Sequence, residues 1–252
     1  MKYSQRPKYE RRNETVAVLV MILLCIPVLF IYFSFFANAF ILDSTGELTL
    51  QNFQFLYQPI QLSQYTVEPI GKAFRNTVIF TAIATTLEVT ISCMAGYALA
   101  RMEFTGKRVI SFSLLTLRLF PGVLLLIGVL YVLLHLGILN TLTGVIVVAI
   151  ALRLPGSTFI IRNFFAGIPQ DIENSALVDG CNRLTAFFQV IIHMVKPGLA
   201  SISIFAFMSA WSNYLLFNVL IFNTKTPVLA TYLRVLSRND QMIADYGVFA
   251  AM

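Results

Sequence analysis

The sequence is short of charge. Of 252 residues, 18 are Lys or Arg and 12 are Asp or Glu, so 12% are charged while 58% are hydrophobic. A soluble domain carries about 25% charged residues, so the composition excludes a water-soluble fold and implies a polytopic membrane protein. Cysteine is scarce too: Cys25, Cys93 and Cys181 lie far apart, two of them in apolar segments. They form no disulfide framework and no metal spacing, and read as small core residues. Only two histidines occur, His135 and His193, and no H-E-x-x-H or G-x-S-x-G pattern is present. A phosphate loop is missing; at Gly71-Lys72, Thr66 occupies the place of its first glycine. The chain is therefore expected not to be an enzyme, to bind no cofactor or metal, and to have no ATPase site of its own. The net charge of +6 follows from basic loops on one side of a membrane, since no interleaving of basic and aromatic residues suggests nucleic acid.

What is present is a succession of long apolar runs. The tail 1–14 is polar and basic, and 15–42 carries no charge. At 1.5 Å per residue that run reaches roughly 40 Å, enough to span a bilayer with tilt. Ala37-Asn38-Ala39 imitates a signal-peptidase site, but the run is far longer than the roughly 7–15 residues of a signal-peptide core. We therefore expect an uncleaved first span with a cytoplasmic N-terminus. Residues 43–75 form a polar outer loop and 76–100 a second span. The loop 101–108 holds Arg101, Lys107 and Arg108 and is cytoplasmic. A third span, 109–136, is expected to kink at Pro121. An outer turn, 137–141, leads to a fourth span, 142–161. A cytoplasmic loop, 162–196, precedes a fifth span, 197–222. An outer loop, 223–245, then leads to 246–252, which look like the start of a sixth span. The expected fold class is all-α, with five complete spans and a possible truncation in the sixth.

Within the loop, Ile168–Pro197 is mixed and amphipathic. Pro169 suits a first helical position, and Asp171 and Glu173 favour the positive end of the helix dipole. Gly180 supplies a left-handed stop, and Asn182 caps a second helix in which Leu184, Phe187, Phe188, Ile191, Ile192 and Val195 follow helical spacing. Two readings fit: a loop lying on the membrane, or a docking surface for a soluble partner.

Three ionisable residues fall near the bilayer midplane: Glu88, Arg118 and Arg153. A lone charge there costs about 2.5–3.5 kcal/mol on insertion scales, so each must face protein or water. We expect a buried cluster in which Glu88 pairs with Arg118 or Arg153; a purely structural ion pair fits equally. In the fifth span Ser209, Ser212 and Asn213 share a helical face, flanked by Trp211 and Tyr214. Amides, hydroxyls and aromatic rings suit a sugar. The same set suits a polar seam between helices.

Asn174-Ser175-Ala176, Leu177-Val178-Asp179, Gly180 and Ile191-Ile192-His193 resemble the E-A-A, three-residue, Gly and I-x-L-P pattern of ABC-importer permeases. Gly96-Tyr97-Ala98-Leu99-Ala100-Arg101 resembles the family's A-Y-A-x-A-R helix exit, and Trp211-Ser212-Asn213-Tyr214 its W-N-E/D-aromatic signature. Asn174 stands where the family has an acidic residue, and His193 where it has proline. The similarity extends from the first span to Met252 and is strongest to sugar importers related to the smaller membrane subunit of the maltose system. It implies a bacterial inner-membrane transport subunit whose loop docks on an ATPase through Glu173, Asn174, Ser175, Ala176, Asp179 and Gly180. It also implies two ATPase copies holding ATP and Mg, a second permease subunit and an extracytoplasmic solute-binding protein. Alternatives are a permease for an anionic solute such as an acidic oligosaccharide and, in a different class, a channel or membrane-embedded enzyme.

Overall fold

The computed structural model describes residues 8–41, 46–61, 66–222, 226–232 and 251. The chain forms two compact units, Met1–Ile70 with Leu233–Met252, and Gly71–Tyr232. The expected start of a sixth span, 246–252, lies outside the described residues except for 251, and the expected outer loop 223–245 is described only at 226–232.

In the first unit, helix α1 runs Lys8–Asn38 and contains Pro27. It begins in the basic tail, ahead of the expected start at 15, because the polar residues there are good helix formers that prolong an established helix. Its apolar side chains, Leu23 and Phe33 among them, are exposed. Beyond it the backbone bridges Ile41 to Leu48 and makes a 3-10 turn, Gln51–Leu56. Asn52 is buried there, and its Nδ2 donates to the carbonyls of Ala39 (3.0 Å) and Ile41 (2.9 Å). Phe40 packs on Phe36 and Phe53, with ring centroids 5.2 and 5.3 Å away. A short ladder pairs β1 (Ile60–Gln61) antiparallel to β2 (Thr66–Val67). Apart from this ladder and the single bridge, the described residues contain no strand.

The second unit is helical. Helix α2 spans Ile70–Arg101, α3 Lys107–Leu117, α4 Gly122–His135 and α5 Leu142–Ala166. The amphipathic segment holds α6 (Gln170–Val178), α7 (Arg183–Ala186), a π-helical turn (Phe187–Ile191) and α8 (Ile192–Met194). Helices α9 (Lys196–Trp211) and α10 (Tyr214–Leu220) follow.

Among the described residues, three helices are long and apolar enough to cross a membrane: Val16–Asn38, Ile70–Arg101 and Leu142–Ala166. A fourth crossing arises if Arg183–Met194 and Lys196–Trp211, bent by 78°, count as one span. The expected third span is two helices rather than one kinked helix. Pro121 adopts φ −61° and ψ 119°, an extended conformation that starts α4 afresh. The residue before proline avoids helical angles and proline offers no amide, so the break covers 118–121. The expected fifth span is also divided. Ser212 Oγ shares Met208 O (2.7 Å) with the Ser212 backbone amide, and Asn213 Oδ1 accepts from Leu216 N (3.3 Å), so a side chain caps the new helix at the break.

Two apolar clusters hold this unit together. One joins Phe80, Leu126, Val145, Val148, Leu216, Phe217 and Leu220. The other joins Cys93, Tyr97, Ile161, Phe165, Phe187, Ile191 and Ile202 near the opposite end of α2. The turn 137–141 is tied to the end of α10: Asn140 N donates to Leu220 O at 3.2 Å, and Asn140 Oδ1 accepts from Phe222 N at 2.9 Å. Residues 226–232 are tied to α2: Asn76 Nδ2 donates to Pro227 O, and Leu229 N donates to Thr77 Oγ1, both at 2.9 Å.

Candidate docking loop and membrane cavity

The loop is built around α6. Pro169, expected as the first helical residue, stands just outside it as the N-cap, and the helix begins at Gln170. Gly180 ends it at φ +93°, with Cys181 N donating to Ala176 O (3.1 Å) and Gly180 N to Leu177 O (3.2 Å). This closure satisfies carbonyls the helix end would otherwise leave free, and it requires the left-handed conformation that glycine adopts without strain. Asn182 caps α7 as the sequence suggested, its Oδ1 accepting from Thr185 N at 2.7 Å.

The residues expected to form one docking face divide into two sets. Glu173 and Ala176 face inward and are buried. Asn174, Ser175 and Asp179 are exposed and, with Asp171 and Val178, line a surface hollow of about 340 Å³. Gly180 is exposed beside them. Inside, Tyr97 Oη donates to Glu173 Oε1 at 2.6 Å, and Arg101 Nη2 donates to Ile168 O at 2.6 Å. Arg101 Nε lies 3.5 Å from Glu173 Oε2, close enough for charge attraction but with neither atom in a hydrogen bond. Tyr97 also packs edge-on against Phe165 and tilted against Phe187, with centroids 5.6 and 4.7 Å away. Sequence reasoning did not place Tyr97 and Arg101 in a site. The available signal was their i, i+4 spacing, which puts both on one face of α2.

A second feature is a cavity of about 520 Å³, lined by Gly122, Leu126, Ala149, Leu152, Arg153, Ser209, Ser212, Asn213, Tyr214, Leu215 and Leu216. The break between α9 and α10 brings Ser212, Asn213 and Tyr214 onto one wall. Trp211, expected beside them, is not in the lining. Its ring stacks on Phe207 with centroids 5.7 Å apart and meets Phe74 edge-on at 6.2 Å.

Of the three midplane charges, the fold brings two together. Glu88, 3% exposed, accepts from Ser157 Oγ through Oε1 at 2.6 Å, and its Oε2 lies 3.9 Å from Arg153 Nη1. Arg153 Nη1 also donates to Ala206 O at 3.4 Å. Arg118 is separate: it is exposed at the break after α3, with its guanidinium 5.4 Å from the ring centre of Phe159. Among the described residues it has no ion pair with Glu88. Ser157, one turn after Arg153 on α5, was not singled out from sequence.

A family model described as "Binding-protein-dependent transport system inner membrane component" matches residues 88–251. The chain belongs to this family. The match covers α2 from Glu88 onward and all of the loop and cavity described above. The permease is 32% identical over 245 residues to the diacetylchitobiose uptake system permease protein of Streptomyces coelicolor, covering 95% of this chain and 79% of that one. It is 32% identical over 194 residues to the sulfoquinovosyl glycerol transport system permease protein of Agrobacterium fabrum, covering 75% and 67% respectively. In fold it is similar to a chain of a bacterial ABC transporter involved in the import of the acidic polysaccharide alginate. The TM-score is 0.80 at 18% identity, with 98% of this permease and 92% of that chain covered.

Proposed function

We propose that this permease subunit carries a sugar or oligosaccharide across the bacterial inner membrane by alternating access, within an ATP-binding-cassette importer. Several relatives, among them the two above, are named for uptake of sugars or sugar conjugates. A solute-binding protein outside delivers the solute, a second permease completes the path, and ATPase subunits holding ATP and Mg dock inside. This chain supplies no catalytic residue and holds no cofactor. Its N-terminus is cytoplasmic, and α3–α4 and α9–α10 act as broken spans, giving five crossings before 246–252.

One observation carries the reading: α6 presents Asn174, Ser175 and Asp179 outward while Glu173 ties its inner side to α2. Force applied to the outer face is thereby passed to a membrane-length helix. Switching the path between 1:99 and 99:1 needs a differential of about 5.5 kcal/mol, within the reach of ATP binding. Solute passes through the cavity, where Ser209, Ser212, Asn213 and Tyr214 offer hydroxyls and an amide.

The test is co-purification. Asn174→Arg with Asp179→Arg should abolish recovery of the ATPase with the permease while the permease still reaches the membrane. Undiminished recovery overturns the docking role. A second reading, an acidic solute, is favoured by the guanidinium of Arg153 in the cavity wall. Uptake assays comparing neutral with uronate oligosaccharides separate the two.

A further inference from the structure

The cavity has one charged residue in its wall and a second behind it. Arg153 lines the cavity; Glu88 does not, and is buried next to the guanidinium. Glu88 is fixed from two directions. Ser157 holds Oε1 at 2.6 Å, which leaves Oε2 facing Arg153 Nη1 at 3.9 Å. The bond from that same nitrogen to Ala206 O, at 3.4 Å, anchors the guanidinium to α9, the helix that carries Ser209. Every other residue of the lining is uncharged, and Arg118 is turned to Phe159 instead.

This arrangement sets the field in the cavity. A guanidinium in a low-dielectric wall without a counter-charge focuses a positive potential and concentrates anions. A carboxylate beside it and outside the lining cancels that potential at a distance while leaving N–H groups available as donors. We propose that Glu88 is a positioning residue that neutralises and orients Arg153, so that the cavity favours an uncharged polyhydroxylated solute over its carboxylated counterpart. The inference rests on the cavity being the solute path. It adds that the charge preference of that path is set by a residue that never touches the solute.

The experiment reads the field directly. In the assembled transporter, Cys25, Cys93 and Cys181 are replaced by alanine and Ser212→Cys is introduced as a reporter on the cavity wall. Its rates of modification are measured with three methanethiosulfonates: anionic sulfonatoethyl, cationic trimethylammonioethyl and neutral methyl. Glu88→Gln should raise the ratio of anionic to cationic rates about tenfold, the effect of one uncompensated charge within a few ångströms of the wall. Arg153→Gln should move the ratio by a similar factor in the opposite direction, the double variant should return it to the parent value, and Glu88→Asp should largely restore it. A merely structural ion pair would leave the ratio where it was. If Glu88→Gln does not assemble, the opposite shift in Arg153→Gln decides the matter, and no shift there overturns the proposal. Failure of the neutral reagent to label Ser212→Cys in any nucleotide state defeats the cavity as solute path, and this inference with it. Efficient neutral labelling with an unchanged charge ratio defeats this inference alone.

Discussion

Tyr97 and Glu173, 76 positions apart in sequence, are joined by a hydrogen bond of 2.6 Å that ties the last turn but one of α2 to the first turn of α6. Both side chains are buried, and the guanidinium of Arg101 completes the group. The carboxylate expected at the partner-facing surface instead holds the loop to the membrane helices.

Removing the carboxylate should therefore act through folding and coupling. Glu173→Ala leaves the hydroxyl of Tyr97 without its acceptor and the guanidinium of Arg101 buried without its counter-charge, at a cost of about 3–5 kcal/mol. Tyr97→Phe, which loses one hydrogen bond to a charged acceptor, should cost about 1.5–3 kcal/mol. Thermal unfolding of the purified assembly ranks the two, and equal midpoints for both variants and the parent would refute the clamp.

Gly96 should not tolerate a methyl group. A Cβ there would lie 2.5 Å from Ile161 Cγ2 and 3.1 Å from the backbone nitrogen of Arg162, so α2 could no longer pack as closely on α5. Gly96→Ala is expected to lose about 1–3 kcal/mol by overpacking. Gly128→Ala, where nothing lies within 4 Å, serves as the control and should be neutral or better. Detergent stability of the two variants side by side checks this.

Gly180 presents the opposite case. Space is free around it, but φ is +93°. Gly180→Ala should cost about 1–2 kcal/mol from backbone strain alone, and Gly180→Asn less. Proteolysis between α6 and α7 should quicken in that order, asparagine before alanine. Equal rates in all three proteins would show that the turn bears no strain.

Trp211 and Asn213 should part company in transport. Trp211→Phe keeps an aromatic ring against Phe207 and lies off the cavity, so the apparent KM for uptake should stay within about twofold. Asn213→Ala removes a cavity amide and the cap on Leu216 N, whose loss costs about 1 kcal/mol of helix stability. Asn213→Ser retains an oxygen for the cap while losing the amide. If the serine variant transports like the wild type, the amide does not meet solute.

What could be read from the sequence was local. The left-handed turn at Gly180 and the cap at Asn182 depend on residues within one or two turns, and a single sequence shows these; at Pro121 it shows a disturbance, expected as a kink where the structure has a full break. Apolar stretches of membrane length likewise depend only on composition, so α1, α2 and α5 could be anticipated. The rotation of a helix about its axis could not. Glu173 sits in a run that periodicity places at a helix start, but whether it points to water or to Tyr97 depends on where α2 ends in space. The choice of Arg153 over Arg118 as partner for Glu88 was hidden for the same reason. Counting residues along each span puts both at a similar depth, and only the placement of α5 against α2 separates them. An unbroken helix would set Trp211 beside Ser212 and Asn213, but α9 ends at Trp211 and the cavity wall takes Ser212, Asn213 and Tyr214 without it.

Alternate residues of α6 serve different neighbours: Glu173 and Ala176 look into the permease, while Asn174, Ser175 and Asp179 look away from it. On the docking role proposed above, substitutions that retune the outer set for another motor protein can accumulate without loosening the inner set. A lineage can exchange the machine it is bolted to and keep the angle of the mounting.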